Sequence, residues 1–284
     1  ATRLAIYQAR DDLLAFIMLM NPSFSVGPHH RVLCDQLMRI ENGDIDRLMI
    51  FISPRSSKSL ISSTYFPAWV LGRQSYRDSS YLVHFLTASD GRLSAIVKGA
   101  HRKQRGGMMA ALMQPFHPLL VTYGGSSELK YVAAAESAGV GRALVGEKLL
   151  SGLYLNELLT RRLPKFDPVP TLFAAYGDAI EDISTSSDLE LTLRRFELLL
   201  LEELGYQIQW HIDFEGQLIK RSVDYSYLPE RGFVAGSVGD TSLSVSGLEL
   251  QHLLDWQRSG GTIDELCQSK LKRIMRLAID QRLG

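Results

Sequence analysis

Basic side chains between Gly91 and Ser127 are the residues whose types and spacing most directly suggest chemistry. No aspartate or glutamate occurs in this window. Its cations are Arg92, Lys98, Arg102, Lys103 and Arg105. Lysines and arginines at this density neutralise phosphates, so they favour contact with a nucleic acid. An ordinary solvated loop would carry the same residues, and the sequence leaves both interpretations open.

A loop upstream of this window has the pattern of one that holds phosphates. The apolar run 48–53 predicts a buried strand, the loop with Lys58 and Ser59 follows, and a helix can begin at Leu60. In such a unit, backbone N–H groups, the lysine and the hydroxyl bind phosphate and Mg²⁺. Ser57 replaces the usual glycine, and no convincing acidic strand follows to hold the metal. We therefore interpret Lys58 and Ser59 as a vestigial phosphate loop, with nucleotide binding as the alternative.

Aromatic side chains accompany the basic window and could stack on nucleic-acid bases. They are Tyr76, Tyr81, Phe85, Phe116, Tyr123 and Tyr131. Alternation along strands turns several of them inward, so packing in a core is the competing interpretation for each one.

Groups that would indicate catalysis or metal binding are not recognisable in the sequence. Scattered serine, histidine and aspartate residues form no triad, and no paired carboxylates have the pattern of a general acid and base. Cys34 and Cys267 are far apart and in no metal-ligand spacing. We therefore expect no catalytic residue, no cofactor, no bound zinc and a reducing compartment.

Five short strands must position the basic and aromatic residues. They are predicted at 68–73, 81–87, 93–98, 119–123 and 129–135, with glycine-containing turns between them. Pro67 lacks an N–H group and disfavours helix at the residue before it, so the first strand is expected to begin near Ala68. Five strands in about 70 residues, with a longer excursion after the third, are typical of the OB-fold barrel.

Helices are predicted on both sides of this barrel. The upstream ones cover 10–20 and 28–41. The downstream elements are helices at 147–163, 170–183 and 189–204, strands at 222–227 and 232–238, and two more helices opened by Ser246 and Thr262. Capping boxes are expected at Ser187, Ser246 and Thr262. The helix 189–204 is apolar on nearly all sides, which predicts a buried position.

The charge of the chain is divided between its parts. The 31 basic and 31 acidic residues cancel, but residues 67–148 carry a net charge of +5 and residues 149–284 carry −6. A basic module joined to an acidic one favours an anionic partner for the basic part. No apolar run approaches the ~20 residues of a membrane span, so we expect no membrane partner.

From about Ala68 to Gly284, the chain resembles the RecO family of bacterial DNA repair proteins. The resemblance is carried by Tyr76-Arg-Asp-Ser-Ser80, Gln114-Pro-Phe-His-Pro-Leu-Leu120, the segment 147–159, Leu193-Arg-Arg-Phe-Glu-Leu198 and Leu204-Gly-Tyr206. It implies an OB barrel followed by a helical domain, which the strand and helix patterns indicate independently. Many relatives carry a four-cysteine zinc element in the region matching 206–235, where this chain has no cysteine.

The resemblance also implies a function without catalysis. It implies binding of single- and double-stranded DNA, annealing of complementary strands, and partnership with RecR and the C-terminal tail of single-stranded-DNA-binding protein. RecA would be loaded indirectly, in the cytoplasm and at the nucleoid. DNA contacts are expected at Arg77, Arg92, Lys98, Arg102, Lys103, Arg105 and Lys130. Arg194 and Arg195 are expected to contact a partner protein, with salt bridges as the competing role.

Residues 1–66 resemble instead the start of a phage terminase large subunit. The resemblance rests on Gly27-Pro-His-His30, Arg47-Leu-Met-Ile50, the loop 53–59 and Phe66-Pro-Ala-Trp69. It leaves an alternative function, a terminase ATPase fragment that packages phage DNA. We therefore predict an α+β chain in three parts. These are a helical, terminase-like appendage with a strand–loop–helix (1–66), an OB-fold DNA-binding domain (67–146) and a mainly helical domain (147–284).

Overall fold

A computed structural model describes residues 13–20, 26–41, 44, 66–77, 79–99, 103–104, 107–186, 188–237 and 243–282. The chain divides into two units, Ala1–Ala174 and Ala175–Gly284. The phosphate loop predicted at 53–59 lies outside the described residues. The three-part division at 66 and 146 stays a prediction.

Two helices precede the barrel, as the helical spacing predicts. They are α1 (Leu13–Met20) and α2 (Pro28–Glu41), and they contact each other. Pro28 suits the first turn of α2 because a proline needs no hydrogen-bond partner for its nitrogen there. The buried His30 accepts a hydrogen bond from the Gly27 N–H group at Nδ1, over 2.9 Å. This contact fixes the entrance to α2.

Five strands form a closed barrel in the order β1-β2-β3-β7-β6. They are β1 (Phe66–Tyr76), β2 (Ser80–Thr87), β3 (Gly91–Val97), β6 (Pro118–Gly124) and β7 (Leu129–Ser137). The excursion between β3 and β6 holds β4 (Lys103–Gln104), β5 (Gly107–Met108) and α3 (Met109–Leu112). All neighbouring barrel strands are antiparallel except β3 and β7, which pair in parallel. The predicted five-stranded barrel is confirmed.

Alternating apolar residues fill the barrel. In β3, Leu93, Ala95 and Val97 are buried, whereas the residues between them are half-buried on the outer face. The other strands supply the core residues Ala68, Val70, Val83, Phe85, Leu119 and Val121, and Met113 packs against them. Each large apolar side chain that is fully buried contributes about 1.5–3 kcal/mol relative to an exposed one.

The first barrel strand begins at Phe66, two residues before the predicted start. Phe66 pairs with Val121, and Pro67 pairs with Leu120. Pro67 has no N–H group to donate, but its carbonyl accepts a hydrogen bond from the Ala88 N–H group over 3.3 Å. The expectation of strand rather than helix at this junction is confirmed.

The loop that follows the next helix, α4 (Glu147–Arg162), lies directly on the start of β3. The Phe166 N–H group donates to the Arg92 carbonyl over 3.0 Å, and Lys165 pairs with Arg92 in an isolated parallel bridge. A Cβ atom on Gly91 would lie 1.8 Å from the Asp167 carbonyl oxygen, and Gly91 has φ +61°. Both the close approach and the backbone conformation therefore require glycine here.

The second unit combines helices with a small sheet. Helix α5 (Pro170–Thr185) spans the boundary between the units, and the elements after it are α6 (Leu189–Glu203), β8 (Asp224–Leu228), β9 (Gly232–Ala235), β10 (Leu243–Ser246), α7 (Gly247–Ser259) and α8 (Glu265–Arg282). The sheet has the order β10-β8-β9, so the predicted pairing of two strands is confirmed and a third strand joins them. Most of α6 is buried, as its apolar pattern predicts.

Three helix caps in this unit can be compared with the predicted capping boxes. The box at Ser246 is confirmed, since its hydroxyl accepts from the Glu249 N–H group and the Glu249 carboxylate accepts in return. At the other two helices an aspartate is the cap. Asp188 accepts from the Leu191 N–H group over 3.0 Å, and Asp264 accepts from the Cys267 N–H group over 2.8 Å.

The cap predicted at Thr262 was therefore wrong, whereas Ser187 lies outside the described residues and Asp188 caps α6. Aspartate is a better N-cap than threonine, which explains why the last helix begins after Asp264 rather than after Thr262. The contact with the Cys267 N–H group lowers the pKa of the Asp264 carboxyl below its usual range. Burial, with help from the neighbouring Asp264 and Glu249, raises the pKa of the Cys267 thiol to about 12.

We expect Gly91→Ala to destabilise the protein more than Gly146→Ala does. Both glycines have positive φ, +61° and +57°, so each alanine carries backbone strain. Such strain costs about 1–3 kcal/mol. Gly146 has no heavy atom within 4 Å of an added Cβ, whereas Gly91 would also collide with Asp167. Urea denaturation of the two variants measures the difference, and equal losses would contradict the close contact between the loop and β3.

Candidate nucleic-acid interface

Polar side chains occupy the outer face of β2 and β3. His84 and Ser94 lie opposite each other in the two strands, and the His84 Nδ1 atom is 2.8 Å from the Ser94 hydroxyl oxygen. Arg92 lies two residues from Ser94 on the same face of β3. In OB folds, this face and the loops beside it form the usual surface for oligonucleotides.

Arg92 is held by backbone groups of the loop that covers the start of β3. Its Nε atom donates to the Leu163 carbonyl over 2.8 Å. The Arg92 carbonyl accepts from the Phe166 N–H group, so Arg92 is hydrogen-bonded to the loop through both its side chain and its backbone. Partial burial lowers the pKa of the guanidinium, and the nearby Glu128 opposes that shift. The arginine is thereby fixed in position while it keeps its charge, because arginine loses its proton only far above neutral pH.

One exposed aromatic ring at this place lies beside a lysine, and two further cations belong to the segments that meet there. The Lys130 ammonium lies 5.1 Å from the centre of the Phe166 ring and donates to the Gly125 carbonyl over 2.8 Å. Lys165, the residue before Phe166, forms an ion pair with Glu128. Phe166 is 37% exposed and has φ +57°, an uncommon conformation for a bulky residue. We call Arg92, Lys130, Lys165 and Phe166 the Phe166 cluster.

The cations of the Phe166 cluster affect the pKa of a neighbouring histidine. Burial lowers the pKa of His84, and the charges of Arg92 and Lys165 lower it further. In the same field, the hydrogen bond and charge of Lys165 lower the pKa of Glu128. Burial disfavours any charge, but the contribution of the two cations to this shift is of the sign that favours an anion.

A second group of cations and aromatic rings lies where β1 turns into β2. The Arg73 guanidinium is 4.9 Å from the centre of the Tyr81 ring, and its Nη1 atom donates to the Ala110 carbonyl over 2.6 Å. Arg77 is exposed, has φ +54°, and lies 5.4 Å from the centre of the Tyr76 ring. We call Arg73, Tyr76, Arg77 and Tyr81 the hairpin cluster.

An exposed tyrosine lies against the turn between β6 and β7. Tyr131 is 50% exposed. A Cβ atom on Gly124 would lie 3.0 Å from the Tyr131 hydroxyl oxygen, and one on Gly125 would lie 3.4 Å from its ring. The two glycines thus leave room for the ring beside the turn, next to Lys130 in the same strand.

The structure places some of the predicted DNA contacts and leaves others outside the described residues. Arg92 and Lys130 come together in the Phe166 cluster, Arg77 belongs to the hairpin cluster, and Lys98 is exposed in the turn after β3. Arg102 and Arg105 lie outside the described residues. Lys103 is described only by its backbone, which pairs with Met108. Lys58 and Ser59 also lie outside, so the vestigial phosphate loop stays a prediction.

The six aromatic candidates divide between core and surface. Phe85 and Phe116 are buried. The Tyr123 hydroxyl donates to Asp90, and burial followed by this contact raises its pKa. Tyr76, Tyr81 and Tyr131 lie beside cations or in the open, as described above. Core packing thus holds for Phe85 and Phe116, and the half-buried Tyr81 and Tyr123 also pack against the barrel core. Tyr76 is half-buried, and Tyr131 is the exposed ring of the six.

Arg194 and Arg195 have different surroundings in the second unit. Arg194 is buried, and its Nη1 atom lies 2.6 Å from the Glu197 carboxylate, which is fully buried. The neighbouring Arg195 is exposed, and its guanidinium lies 5.4 Å from the centre of the Trp256 ring. Arg194 therefore forms the salt bridge that was the competing expectation, and Arg195 is the exposed one of the two.

Sequence reasoning missed Lys165 and Phe166. They lie in the sequence Pro164-Lys-Phe-Asp-Pro168, between two helices and outside the basic window. Local sequence gave no sign that this loop returns to β3, more than 70 positions earlier. The one available signal was the Gly91 position, which fits a turn but equally a close backbone approach.

We expect the stability of the protein to fall on acidification partly because of His84. Its lowered pKa keeps it neutral in the folded state where the unfolded chain already binds a proton. Stability therefore falls as the pH drops from about 6.5 toward the folded-state pKa. His84→Gln should reduce this fall, measured by urea denaturation between about pH 7.5 and about pH 5.5. The exposed His211→Gln is the control, and identical pH profiles for wild type and His84→Gln would contradict the expectation. His117, whose pKa burial also lowers, accounts for a residual slope.

None of the described helices is both long enough and apolar enough to cross a membrane.

Comparison with known proteins identifies the family on both sides of the barrel–helix junction. The family model "Recombination protein O N terminal" matches residues 62–140, and "Recombination protein O C terminal" matches residues 144–284. The DNA repair protein RecO of Methylococcus capsulatus is 41% identical over 218 residues, covering 76% of this chain and 87% of that protein. The RecO proteins of Halorhodospira halophila and Pseudomonas aeruginosa PAO1 are 37% and 39% identical, covering 77% and 76% of this chain and 91% and 88% of those proteins. The chain therefore belongs to the RecO family of DNA repair proteins.

Proposed function

We propose that this chain binds single- and double-stranded DNA and anneals complementary strands during repair and homologous recombination. With RecR, it would help to load RecA onto DNA covered by single-stranded-DNA-binding protein. The observation that carries the proposal is the Phe166 cluster, in which a loop on the start of β3 presents an exposed ring beside Lys130, with Arg92 and Lys165 in the two paired segments. Membership of the RecO family supports the repair role.

The cluster supplies the two contacts that single strands need. Cations follow the phosphates, and an exposed ring stacks on a base whatever its identity. Phe166 presents the ring, and the Lys130 ammonium lies 5.1 Å from its centre. Lys165 precedes Phe166 and pairs with Glu128, while the Arg92 carbonyl accepts from the Phe166 N–H group. Stacking and charge neutralisation do not read base edges, so we infer weak sequence selectivity.

Annealing follows from the same charges. Two complementary strands repel each other through their phosphates, and a basic surface that binds both reduces this repulsion. The hairpin cluster, with Arg77 exposed beside Tyr76, offers a second place on the barrel for backbone and base. We propose Lys98, Arg102, Lys103 and Arg105 as further phosphate contacts because they continue the acid-free window.

We propose partner contacts for the second unit. Arg195 is exposed and its guanidinium lies against the ring of the buried Trp256, so it can offer a positioned charge to an anionic peptide such as the C-terminal tail of single-stranded-DNA-binding protein. Arg194 would support this surface through Glu197 rather than contact the partner. RecR as a partner, RecA loading and a cytoplasmic place at the nucleoid rest on the family alone.

We further propose that the chain is a binding protein and no enzyme, and that residues 67–146 and 147–284 are its working domains. The terminase-like segment 1–66 would then be dispensable. ATP turnover, assayed beside strand annealing, separates this proposal from the terminase alternative. Annealing without ATP turnover supports it, and turnover that depends on Lys58 would contradict it.

We expect the affinity for a single strand to fall steeply with salt. Each phosphate contact contributes a slope of roughly 0.7 in log K against log salt. Lys165→Ala should weaken binding of all sequences equally and reduce the slope by about one such contact. Lys272→Ala is the matched control, because Lys272 is also an exposed lysine paired with a carboxylate, Glu190, over 3.2 Å. Fluorescence anisotropy over a salt series measures the affinity and its salt slope. A salt-independent affinity would contradict the proposal.

We expect Phe166→Leu to weaken single-strand binding by roughly 5- to 150-fold, the loss that corresponds to one stacked base. Leucine keeps an apolar side chain at the strained backbone position, so the ring is the main loss. Phe214→Leu is the matched control, since Phe214 is 55% exposed and has the Arg231 guanidinium 5.5 Å from its ring centre. Equal affinity of Phe166→Leu and wild type, at matched thermal stability, would remove Phe166 from the interface.

A further inference from the structure

Three potential metal ligands of different chemical types meet in the second unit. They are the imidazole of His252, the carboxylate of Asp264 and the thiol of Cys267, and their ligand atoms all lie within 4.8 Å of one another. His252 and Asp264 are exposed, whereas Cys267 is buried. The group thus has a buried soft ligand and two ligands that reach solvent.

The local fold brings these ligands together without a special loop. Asp264 is the N-cap of α8 and Cys267 lies three positions later, where the backbone N–H group donates to the Asp264 carboxylate. This places both side chains at the same end of α8. Helix α7 ends at Ser259 with Gly260 as its C-cap, at φ +78°. The chain then returns so that α7 contacts α8 and the His252 ligand atom lies within 4.8 Å of those of Asp264 and Cys267.

The charged groups around the site favour a cation. Asp264 belongs to the ligand set, and Glu249 on α7 acts on the Cys267 thiol together with it. Lys270 is the cation that opposes them, but its ammonium is committed to the Ser244 carbonyl over 2.6 Å and to Glu249 over 3.3 Å. Within the described residues, the His252 ring forms no hydrogen bond or ion pair, so a ring nitrogen is available to a metal.

We propose that His252, Asp264 and Cys267 bind a zinc ion, with water as the fourth ligand. One sulfur, one nitrogen and one oxygen donor suit zinc better than magnesium or calcium, which prefer oxygen ligands alone. Bonds of about 2.0–2.3 Å in a tetrahedral ion hold ligand atoms roughly 3.3–3.8 Å apart, so side-chain rotations must close the present separations by about 1 Å. Binding forms the Zn–S bond and releases the thiol proton to solvent.

This site differs from a four-cysteine zinc element and lies outside the region 206–235. The expectation of no bound zinc rested on the spacing of the two cysteines and on the absence of cysteine from that region. A set with one cysteine escapes both arguments, because its other ligands are a histidine and an aspartate from neighbouring helices. Zinc would tie α7 to the start of α8 and so stabilise the second unit.

The test uses the full chain, treated with a chelator and then titrated with Zn²⁺ or with Co²⁺ as a spectroscopic probe. We expect one equivalent to bind, a thiolate-to-cobalt charge-transfer band, a higher Tm with zinc, and an affinity that rises with pH. His252→Gln should weaken zinc binding at least ~10-fold, and Cys267→Ser should abolish the charge-transfer band.

Two controls keep the result specific. His211→Gln removes an exposed histidine of the same unit that is outside the group, and Cys34→Ala removes the other cysteine; both should bind zinc like wild type. His252 is exposed, so its variant remains informative even where Cys267→Ser fails to fold. The proposal is overturned when wild type shows neither the band nor the Tm shift, or when His252→Gln binds zinc as tightly as wild type.

Discussion

The hydrogen bond from the Phe166 N–H group to the Arg92 carbonyl is the contact on which the candidate interface depends. It exists because Gly91 has no side chain to keep the Asp167 carbonyl away from β3. The bond brings a loop between two helices onto a barrel strand and places the Phe166 ring beside Lys130. The positive φ at Phe166 is part of the same arrangement, and such strained residues concentrate at functional sites where the surrounding structure holds them.

The cations on the barrel are mostly oriented by carbonyl groups rather than by carboxylates. Arg92, Lys130 and Arg73 donate to the carbonyls of Leu163, Gly125 and Ala110. A carbonyl fixes the direction of a side chain but leaves its full charge, whereas a carboxylate neutralises it. Phosphates that approach this surface therefore meet charges that are already positioned, and less side-chain entropy is lost on binding. Lys165 is the exception, because its partner Glu128 must release it or share it with a phosphate.

How much the sequence predicts depends on whether an element is specified locally. The barrel strands and the helices of the second unit follow from alternation, helical spacing and turn residues, and Pro67 correctly separated strand from helix at the start of β1. The start of the last helix was misplaced because a threonine pattern was preferred over the nearby Asp264, whereas α6 begins at Leu189 as predicted. Lys165, Phe166 and the group of His252, Asp264 and Cys267 could not be predicted, since each depends on segments that meet only after folding. Arg194 and Arg195 differ because the first is buried in a salt bridge and the second is exposed. Helical periodicity alone does not distinguish adjacent arginines on a helix that is apolar on most sides.

The parallel pairing of β3 with β7 has a consequence for how the barrel closes during folding. Only three residue pairs join these strands, from Ser94 with Leu129 to Ile96 with Tyr131, whereas the β2–β3 pairing has seven. The segment between them must first be ordered into a loop, and forming such a long-range contact costs chain entropy before any hydrogen bond compensates it. The β3–β7 pairing is the shortest in the barrel, and like the four-pair closure of β1 with β6 it joins segments that are far apart in sequence. Lys130 lies on β7 and Arg92 on β3, so a DNA strand that binds both members of the Phe166 cluster would link the two strands across this short pairing.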